Sequence, residues 1–224
     1  MNKIAIFKLT IPVLMGYIPL GMAFGLLLSK LMIPWYYALI MSVFVFAGSG
    51  QFLLLTLLAS HATILEIGIA TFLLNLRHTF YGLSMVSTFK NFSWKKYYLI
   101  FGLTDETFAL LKTSDVPEDN RENAYLLITA LNQSYWIIGS VVGAVLGNIV
   151  PFNYTGIEFS LTALFVVLSI ELYNKNKLHK PFFIAVIIGF LGMFLFPPQR
   201  MLILSLCLAA FVLIVFKRNM QNAR

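Results

Sequence analysis

The chain is a succession of long apolar stretches separated by short clusters of charged residues. Eight such stretches carry few or no charges, and they cover residues 9–29, 31–65, 67–89, 97–111, 124–157, 159–170, 181–196 and 201–216. Backbone N–H and C=O groups find no water in a bilayer core, so a spanning segment satisfies them internally as a helix. The pattern predicts an all-α polytopic membrane protein with six to eight hydrophobic segments, forming a single integral membrane domain over residues 1–224.

The composition supports this class of protein and excludes others. Hydrophobic residues make up 59% of the 224 residues and charged residues only 11%, whereas soluble domains contain about 45–50% and about 25%. Too little polar surface remains to cover a water-soluble globule, and a single cysteine, Cys207, excludes a disulfide scaffold. The first stretch follows Lys3 and Lys8 as a signal peptide would, but it is too long and too rich in Pro and Gly for one. We expect it to remain as a membrane helix.

The positive charges predict an orientation. Eleven of the sixteen Lys and Arg residues fall in four clusters, at 3–8, 90–96, 175–180 and 217–224, and the positive-inside rule favours the cytoplasm for all of them. Simple threading of eight helices places the 90–96 cluster outside. The conflict disappears if the second and fourth stretches make no net crossing, which leaves six crossings with both termini cytoplasmic; a plain seven-span arrangement competes with it. The net charge of +7 is thus explained by topology and anionic lipid, and no nucleic-acid partner is expected.

Two of the stretches are interrupted in a way that predicts a site. Residues 46–51 (Phe-Ala-Gly-Ser-Gly-Gln) break the second stretch, and the fourth is short and contains Asp105 and Glu106. We therefore predict broken or re-entrant segments near 46–51 and 102–108. Such segments in transporters indicate the substrate site, because unwound backbone offers free N–H and C=O groups to charged ligand atoms. Close helix packing through the small residues is an equally weighted alternative.

A second polar group interrupts the third stretch. Arg77 lies ten residues into it, with Asn75 and His78 beside it. An Arg at the centre of a membrane helix costs about 2.5–3.5 kcal/mol on insertion scales, so it should face the protein interior and have a partner. The candidate partners are four acids: first Asp105 and Glu106, then Glu66 and Glu158. The alternative is a helix that ends near residue 76, with the Arg77 side chain reaching the headgroups.

Asp105 and Glu106 are adjacent, so on a helix they point about 100° apart and cannot both face one partner. One is expected to pair with Arg77, and the other to bind and release a proton during transport. The alternative is an N-cap, in which Thr104 or Asp105 accepts backbone N–H bonds, and the two roles are compatible. His78 is a candidate proton relay.

No nucleotide-binding or metal-binding motif accompanies these residues. The sequence has no Walker A loop, metal-ligand cluster or haem motif, so no cofactor is expected. The catalytic alternative is an intramembrane serine hydrolase that uses Ser49 with His61 or His78. Its G-x-S-x-G motif is not matched, because Ala47 and Gln51 stand where glycine is needed. We therefore expect a protein that is not an enzyme.

Four short motifs are spaced along the middle of the chain. They are Phe-Ala-Gly-Ser-Gly-Gln-Phe (46–52), Asn-Leu-Arg-His (75–78), Gly-Leu-Thr-Asp-Glu-Thr-Phe-Ala (102–109) and Gly-Ile-Glu-Phe (156–159). With Pro-Leu-Gly at 19–21 and Phe-Gly at 24–25, they resemble the AzlC family over about residues 10–170. The fourth motif departs from the usual Gly-Leu-Asp-Phe but keeps an acid. The last two stretches match the family only by hydrophobicity.

The resemblance implies the large subunit of a branched-chain amino acid exporter. Such proteins lie in the bacterial inner membrane and work with a small AzlD-type membrane subunit. They export leucine, isoleucine, valine and often methionine, with coupling to the proton motive force. A non-transporting scaffold or regulatory subunit is the competing function, and a passive channel is a further one.

An amino acid zwitterion needs contacts of both signs and an apolar pocket, which gives the interrupting residues hypothetical roles. The Gly-Ser-Gly break and Arg77 would hold the carboxylate, and Asp105 or Glu106 would hold the ammonium group or a proton. Phenylalanine side chains would line the pocket. The candidate substrate-binding residues are Phe46, Gly48, Ser49, Gly50, Gln51, Asn75, Arg77 and Phe108, with Phe52 beside them. The candidates for proton coupling or ammonium binding are Asp105, Glu106 and His78.

Overall fold

The computed structural model describes residues 3–114, 116–149, 180–197 and 201–221, together with the single residues 159, 166, 170 and 173. Within these ranges every regular element is a helix, which confirms the all-α class. The helices are α1 (Lys3–Lys30), α2 (Tyr36–Phe44), α3 (Gly48–Ala59), α4 (Ile64–Phe89), α5 (Lys95–Phe101), α6 (Asp105–Thr113), α7 (Glu118–Ile149), α8 (Lys180–Leu195) and α9 (Met201–Gln221). Apart from the single residues, the sixth predicted stretch lies outside the described residues.

Two of these helices are long and apolar enough to cross a membrane. They are Lys3–Lys30 and the part of α7 from Asn120 to Ile149, and three shorter apolar helices cover 48–59, 64–76 and 182–195. At 1.5 Å per residue, the 28 residues of α1 extend about 42 Å, more than the thickness of a hydrocarbon core. The presence of six to eight hydrophobic segments stays a prediction, and so does the choice between six and seven membrane crossings.

The chain divides into two compact units, and α4 belongs in part to each. One unit is Met1–Leu55 with Asn75–Ser160, and the other is Thr56–Leu74 with Leu161–Arg224. In the second unit α8 packs on α9, with Ser205 against Gly192. The candidate site residues that the sequence predicts all belong to the first unit. The single-domain organisation of the chain stays a prediction.

The first unit is built on α1 and α7, which lie side by side and run in the same direction. Glycines of both helices make the contact: a Cβ placed on Gly21 lies 2.9 Å from the backbone N of Ser140, and one on Gly147 lies 2.7 Å from the Ser29 hydroxyl. Contacts later in α1 are made with residues later in α7, so the two helices are parallel. The Gly-x-x-x-Gly spacing predicts tight helix packing. The glycines that have this spacing lie in the contact, and they are Gly21 and Gly25 in α1 and Gly139, Gly143 and Gly147 in α7.

Helices α5 and α6 form a hairpin (hairpin 2) with both ends at the start of α7. At its entrance the Lys95 Nζ donates to Asn123 Oδ1 (2.7 Å), and at its exit the Tyr125 hydroxyl donates to the Leu111 carbonyl (2.9 Å). The chain reverses between them at 102–104. Hairpin 2 therefore enters the unit and leaves it at the same end, with a break where the sequence predicts one; its re-entry into the membrane stays a prediction.

Helix α2 and the first part of α3, residues 36–55, form hairpin 1, which enters from the opposite end. Helix α2 starts directly after α1 ends, and the Val43 carbonyl near its last residue accepts a hydrogen bond from Gln133 Nε2 (3.0 Å). After a break at 45–47 the chain turns back, so that Phe52 reaches Phe24 of α1, with ring centroids 5.8 Å apart. The second stretch is thus broken where the sequence predicts it, and its re-entry into the membrane stays a prediction.

The two hairpins belong to an internal repeat of opposite orientation. Each repeat has a long helix, a tight turn that ends in a tryptophan, a short helix, a break and a second short helix. Trp35 and Trp94 have similar backbone angles, φ −56° and ψ −31° against φ −55° and ψ −20°. Helix α1 runs away from the start of α7, whereas the 75–89 part of α4 runs toward it. In transporters, repeats related in this way place the substrate site at their interface.

Two of the predicted clusters of positive charge lie at one end of the first unit. Ile6, between Lys3 and Lys8, shares an apolar cluster with Phe89 and Leu99, which flank Lys90, Lys95 and Lys96. The end that holds these cations, at the start of α7, is called the basic end. Its composition agrees with the threading in which the second and fourth stretches make no net crossing.

Candidate functional site

The tips of the two hairpins meet beside the middle of α7. A ring carbon of Phe46, in hairpin 1, lies 3.8 Å from the position of a Cβ on Gly102, in hairpin 2. The rings of Phe46 and Phe101 are 6.5 Å apart. The Thr129 methyl group of α7 lies so close to Gly102 that any side chain there would overlap it. The two breaks that the sequence predicts therefore lie next to each other in the structure.

At the tip of hairpin 1 a helix begins without any acid. Phe46 is buried and has φ of 39°, in the left-handed region, so the backbone reverses there. Four predicted residues follow in the first turn of α3: Gly48, Ser49, Gly50 and Gln51. Gln51 is fully buried and its Oε1 accepts from Trp136 Nε1 (2.7 Å), while its Nε2 has no partner among the described residues. The positive end of the α3 dipole thus carries no compensating acid in its first turn.

At the tip of hairpin 2 the corresponding helix begins with two acids. Thr104 is the N-cap of α6, and its hydroxyl accepts a hydrogen bond from the Thr107 N–H (3.3 Å), which confirms the predicted cap. Asp105 and Glu106 occupy the first turn. The Tyr17 hydroxyl of α1 donates to Glu106 Oε2 at 2.6 Å. The first turns of α3 and α6 therefore differ by two carboxylates.

A continuous chain of contacts connects hairpin 2 with α1 and α7. The Thr104 hydroxyl lies 2.8 Å from the Tyr17 hydroxyl and 3.0 Å from the Thr107 hydroxyl. The Thr107 oxygen also accepts from Asn132 Nδ2 of α7 (3.0 Å). The Tyr17 ring packs edge-on against Trp136, with centroids 5.4 Å apart, and Trp136 Nε1 donates to Gln51 in the first turn of α3. A substrate at the tips would therefore contact elements from both repeats and α7.

Helix α7 presents a buried polar face that the sequence analysis did not select. Its members recur at helical spacing: Thr129, Asn132, Gln133, Trp136 and Ser140. Gln133 joins the two hairpins, because its Oε1 accepts from the Tyr98 hydroxyl (2.6 Å) and its Nε2 donates to the Val43 carbonyl (3.0 Å). The signal was present in the sequence as Thr, Asn and Gln on one face of an apolar stretch. It was missed because these residues are uncharged.

Two predicted residues, His78 of α4 and Phe108 of α6, both contact the ring of Tyr81 in α4. The Tyr81 ring stacks on Phe108, with centroids 4.7 Å apart, and the His78 ring lies edge-on to Tyr81 at 5.8 Å. Asn75 is half-buried on the same helix. The structure thus brings His78 next to an aromatic neighbour of hairpin 2, and its role as a proton relay stays a prediction.

The predicted ion pair of Arg77 is not tested by these contacts. Arg77 belongs to the helical backbone of α4, but its side chain lies outside the described residues. The alternative of a helix that ends near residue 76 is wrong, because α4 continues to Phe89. Of the remaining candidate partners, Glu66 forms a capping box, its carboxylate accepting the Thr63 N–H at 2.8 Å. Glu158 lies outside the described residues.

Comparison with known proteins decides the family. The family model described as AzlC protein matches residues 12–150, a range that contains both hairpins and the contacts of the site. The chain belongs to the AzlC family. Three of the four motifs of the predicted resemblance fall within this match, and the fourth lies beyond it at 156–159.

Relatives from several organisms match most of this AzlC-family chain. The Bacillus subtilis branched-chain amino acid transport protein AzlC is 33% identical over 218 residues, which cover 97% of this chain and 86% of that protein. An uncharacterized membrane protein of Helicobacter pylori is 39% identical over 216 residues, 96% and 95% of the two chains. The Escherichia coli inner membrane protein YgaZ is 30% identical over 183 residues, 76% and 73%. No solved structure matches the chain.

Proposed function

We propose that this AzlC-family protein transports branched-chain amino acids across the bacterial inner membrane, and that the substrate binds between the tips of the two hairpins. The observation that carries this proposal is the difference between two helix N-termini near the tips: α3 begins without an acid, whereas α6 begins with Asp105 and Glu106. A zwitterion carries the complementary pair of charges. The name of the Bacillus subtilis relative, a branched-chain amino acid transport protein, supports the substrate class.

In this proposal each tip recognises one end of the amino acid. The first turn of α3, residues 48–51, binds the carboxylate through backbone N–H groups and Gln51 Nε2, with Arg77 as a further cation. Asp105 and Glu106 bind the ammonium group. The aliphatic side chain lies against aromatic rings, for which Phe46 and Phe108 are the candidates.

We further propose export driven by the proton motive force, in a complex with a small AzlD-type membrane subunit and with the basic end in the cytoplasm. A carboxylate of α6 that exchanges the substrate ammonium for a proton would couple the two movements. Because the hairpins enter from opposite ends, displacing one or the other would open the site to one side of the membrane at a time.

The test is leucine accumulation in a strain that lacks the gene and is fed leucine-containing dipeptides. We expect intracellular leucine to rise in this strain, to fall when the wild-type gene is restored, and to stay high with Asp105→Ala or Arg77→Ala at equal membrane levels. Glu118→Gln, an acid on the exposed start of α7, is the matched control and should restore export. Absence of accumulation would favour a scaffold, and export that a protonophore does not affect would contradict proton coupling.

A further inference from the structure

Besides Ser140 Oγ, which lies on the side of α7 that packs on α1, helix α7 carries two buried oxygen atoms that have no hydrogen-bond partner in the described part of the chain. They are Asn132 Oδ1 and Thr129 Oγ1, and both residues have an exposed fraction of 0%. Leaving a buried polar atom unpaired is unfavourable, and buried polar groups in native proteins are nearly always paired with protein, water or ligand. A ligand with N–H or O–H donors would pair Asn132 Oδ1, and the Thr129 hydroxyl can accept from the same ligand.

Both oxygens lie beside the start of α6. Asn132 and Thr129 are three residues apart, so they are neighbours on the surface of α7. The Asn132 amide is oriented by the bond from its Nδ2 to Thr107 in the first turn of α6, which leaves Oδ1 for another donor. The Thr129 side chain packs on Gly102, in the break of hairpin 2. The two acceptors therefore adjoin the turn that carries Asp105 and Glu106.

The chemistry of this place fits a cation with several N–H donors. An amide oxygen accepts only, and an ammonium group offers three donors and no acceptor. A carboxylate at the same place would face two acids of like charge in α6. We propose that Asn132 Oδ1 and Thr129 Oγ1 accept hydrogen bonds from the ammonium group of the transported amino acid. This inference rests on the proposed function, and it assigns the recognition of the amino group to α7 as well as to α6.

The test compares substitutions of Asn132 in the full-length protein reconstituted into proteoliposomes. We expect Asn132→Leu to raise the KM for leucine about tenfold, as for the loss of a hydrogen bond to a charged group, with Vmax retained. Asn132→Gln, which keeps both the acceptor oxygen and the N–H donor of the amide, should recover part of the lost affinity. Ser134→Ala is the control, because Ser134 lies on the exposed face of α7 and bonds to the Ala130 carbonyl.

A second ligand distinguishes recognition of the amino group by Asn132 from a purely structural role of this residue. The inhibition constant of 4-methylpentanoate, which has the carbon skeleton of leucine without its amino group, should be the same for the wild type and Asn132→Leu. If Asn132→Leu weakens both ligands equally, or leaves the KM for leucine unchanged, the inference is overturned.

Thr129 provides an independent substitution at the same place. Thr129→Val keeps the methyl group against Gly102 and removes the oxygen, and we expect a KM about three- to tenfold higher, whereas Thr129→Ser should bind leucine like the wild type. If the wild type transports leucine and neither Asn132→Leu nor Thr129→Val changes the KM, only this inference fails. If the wild type does not transport leucine, the proposed function itself fails.

Discussion

Hairpin 1 and hairpin 2 have the same backbone plan and different chemistry at their tips. Each follows a turn that ends in a tryptophan, each breaks near its middle, and each second helix starts close to the tip. In hairpin 1 that helix starts with small neutral residues, and in hairpin 2 it starts with a threonine cap and two acids. The comparison teaches that one backbone plan can give two helix N-termini of different charge, because the backbone repeats the helix dipole and the side chains change its sign.

The hairpins also differ in where they are held. Hairpin 2 bonds to α7 at its entrance and exit, where Lys95 meets Asn123 and Tyr125 meets Leu111. The hydrogen bonds described between hairpin 1 and α7 lie near the tip of the hairpin, at Gln133 and Trp136. The two hairpins are therefore bonded to α7 at different places along their length.

The largest effect is expected when an acid is introduced into hairpin 1, because this removes the difference in charge between the two tips. Ser49→Asp places a carboxylate in the first turn of α3, where we expect the substrate carboxylate. Two like charges 4 Å apart repel by about 4 kcal/mol at an effective dielectric of about 20, so we expect leucine affinity to fall at least roughly a hundredfold. The KM for leucine in proteoliposomes measures it. Ser49→Asn is the uncharged control, and equal effects of the two variants would contradict the charge argument.

The second prediction concerns the packing of the hairpin 2 tip. Gly102→Ala places a methyl group against the Thr129 methyl, and we expect it to lower the free energy of unfolding by about 1–3 kcal/mol. A second change, Thr129→Ser, removes that methyl and should restore part of the loss. The unfolding midpoint in detergent measures both effects. Gly82→Ala, which has open space around its Cβ position, is the control; the absence of rescue would show that the tip is not packed as described.

The third prediction concerns the Tyr17 hydroxyl, which donates a hydrogen bond to Glu106 of hairpin 2. Tyr17→Phe deletes the hydrogen bond to Glu106 and keeps the ring packing on Trp136. We expect a loss of about 1.5 kcal/mol in the free energy of unfolding, since the bond is to a charged group. Tyr37→Phe, at an exposed tyrosine of hairpin 1, should change it very little. The same detergent unfolding assay decides, and equal effects of the two changes would remove the special role of Tyr17.

The smallest effect is expected at the glycine that starts the second helix of hairpin 1. A Cβ on Gly48 lies 3.4 Å from the Trp136 ring, an ordinary van der Waals contact. We expect Gly48→Ala to change the free energy of unfolding by less than about 1 kcal/mol, because the small steric cost is offset by the helix propensity of alanine. A loss as large as that of Gly102→Ala would mean that the two tips are equally tight.

The sequence was sufficient to find the residues whose chemistry departs from that of a membrane helix. Gly48, Gly50 and the acids Asp105 and Glu106 interrupt apolar runs, and both interruptions proved to lie at breaks between two short helices. Asn132 and Thr129 were missed, because an uncharged polar residue costs much less in an apolar stretch than a charged one and so stands out less. Their burial is visible only once the hairpins are packed on α7.

What the sequence determined by itself is the helical membrane class, the two breaks and the clusters of positive charge. These are local properties, since hydropathy and charge can be read within one helix. Only the tertiary structure decided that Phe46 meets Gly102, that the repeats are inverted, and that one buried polar face of α7 lies beside the hairpin tips. Such contacts join residues far apart in the chain, and they depend on shape, on which glycines allow helices to approach, and on which buried polar groups find partners.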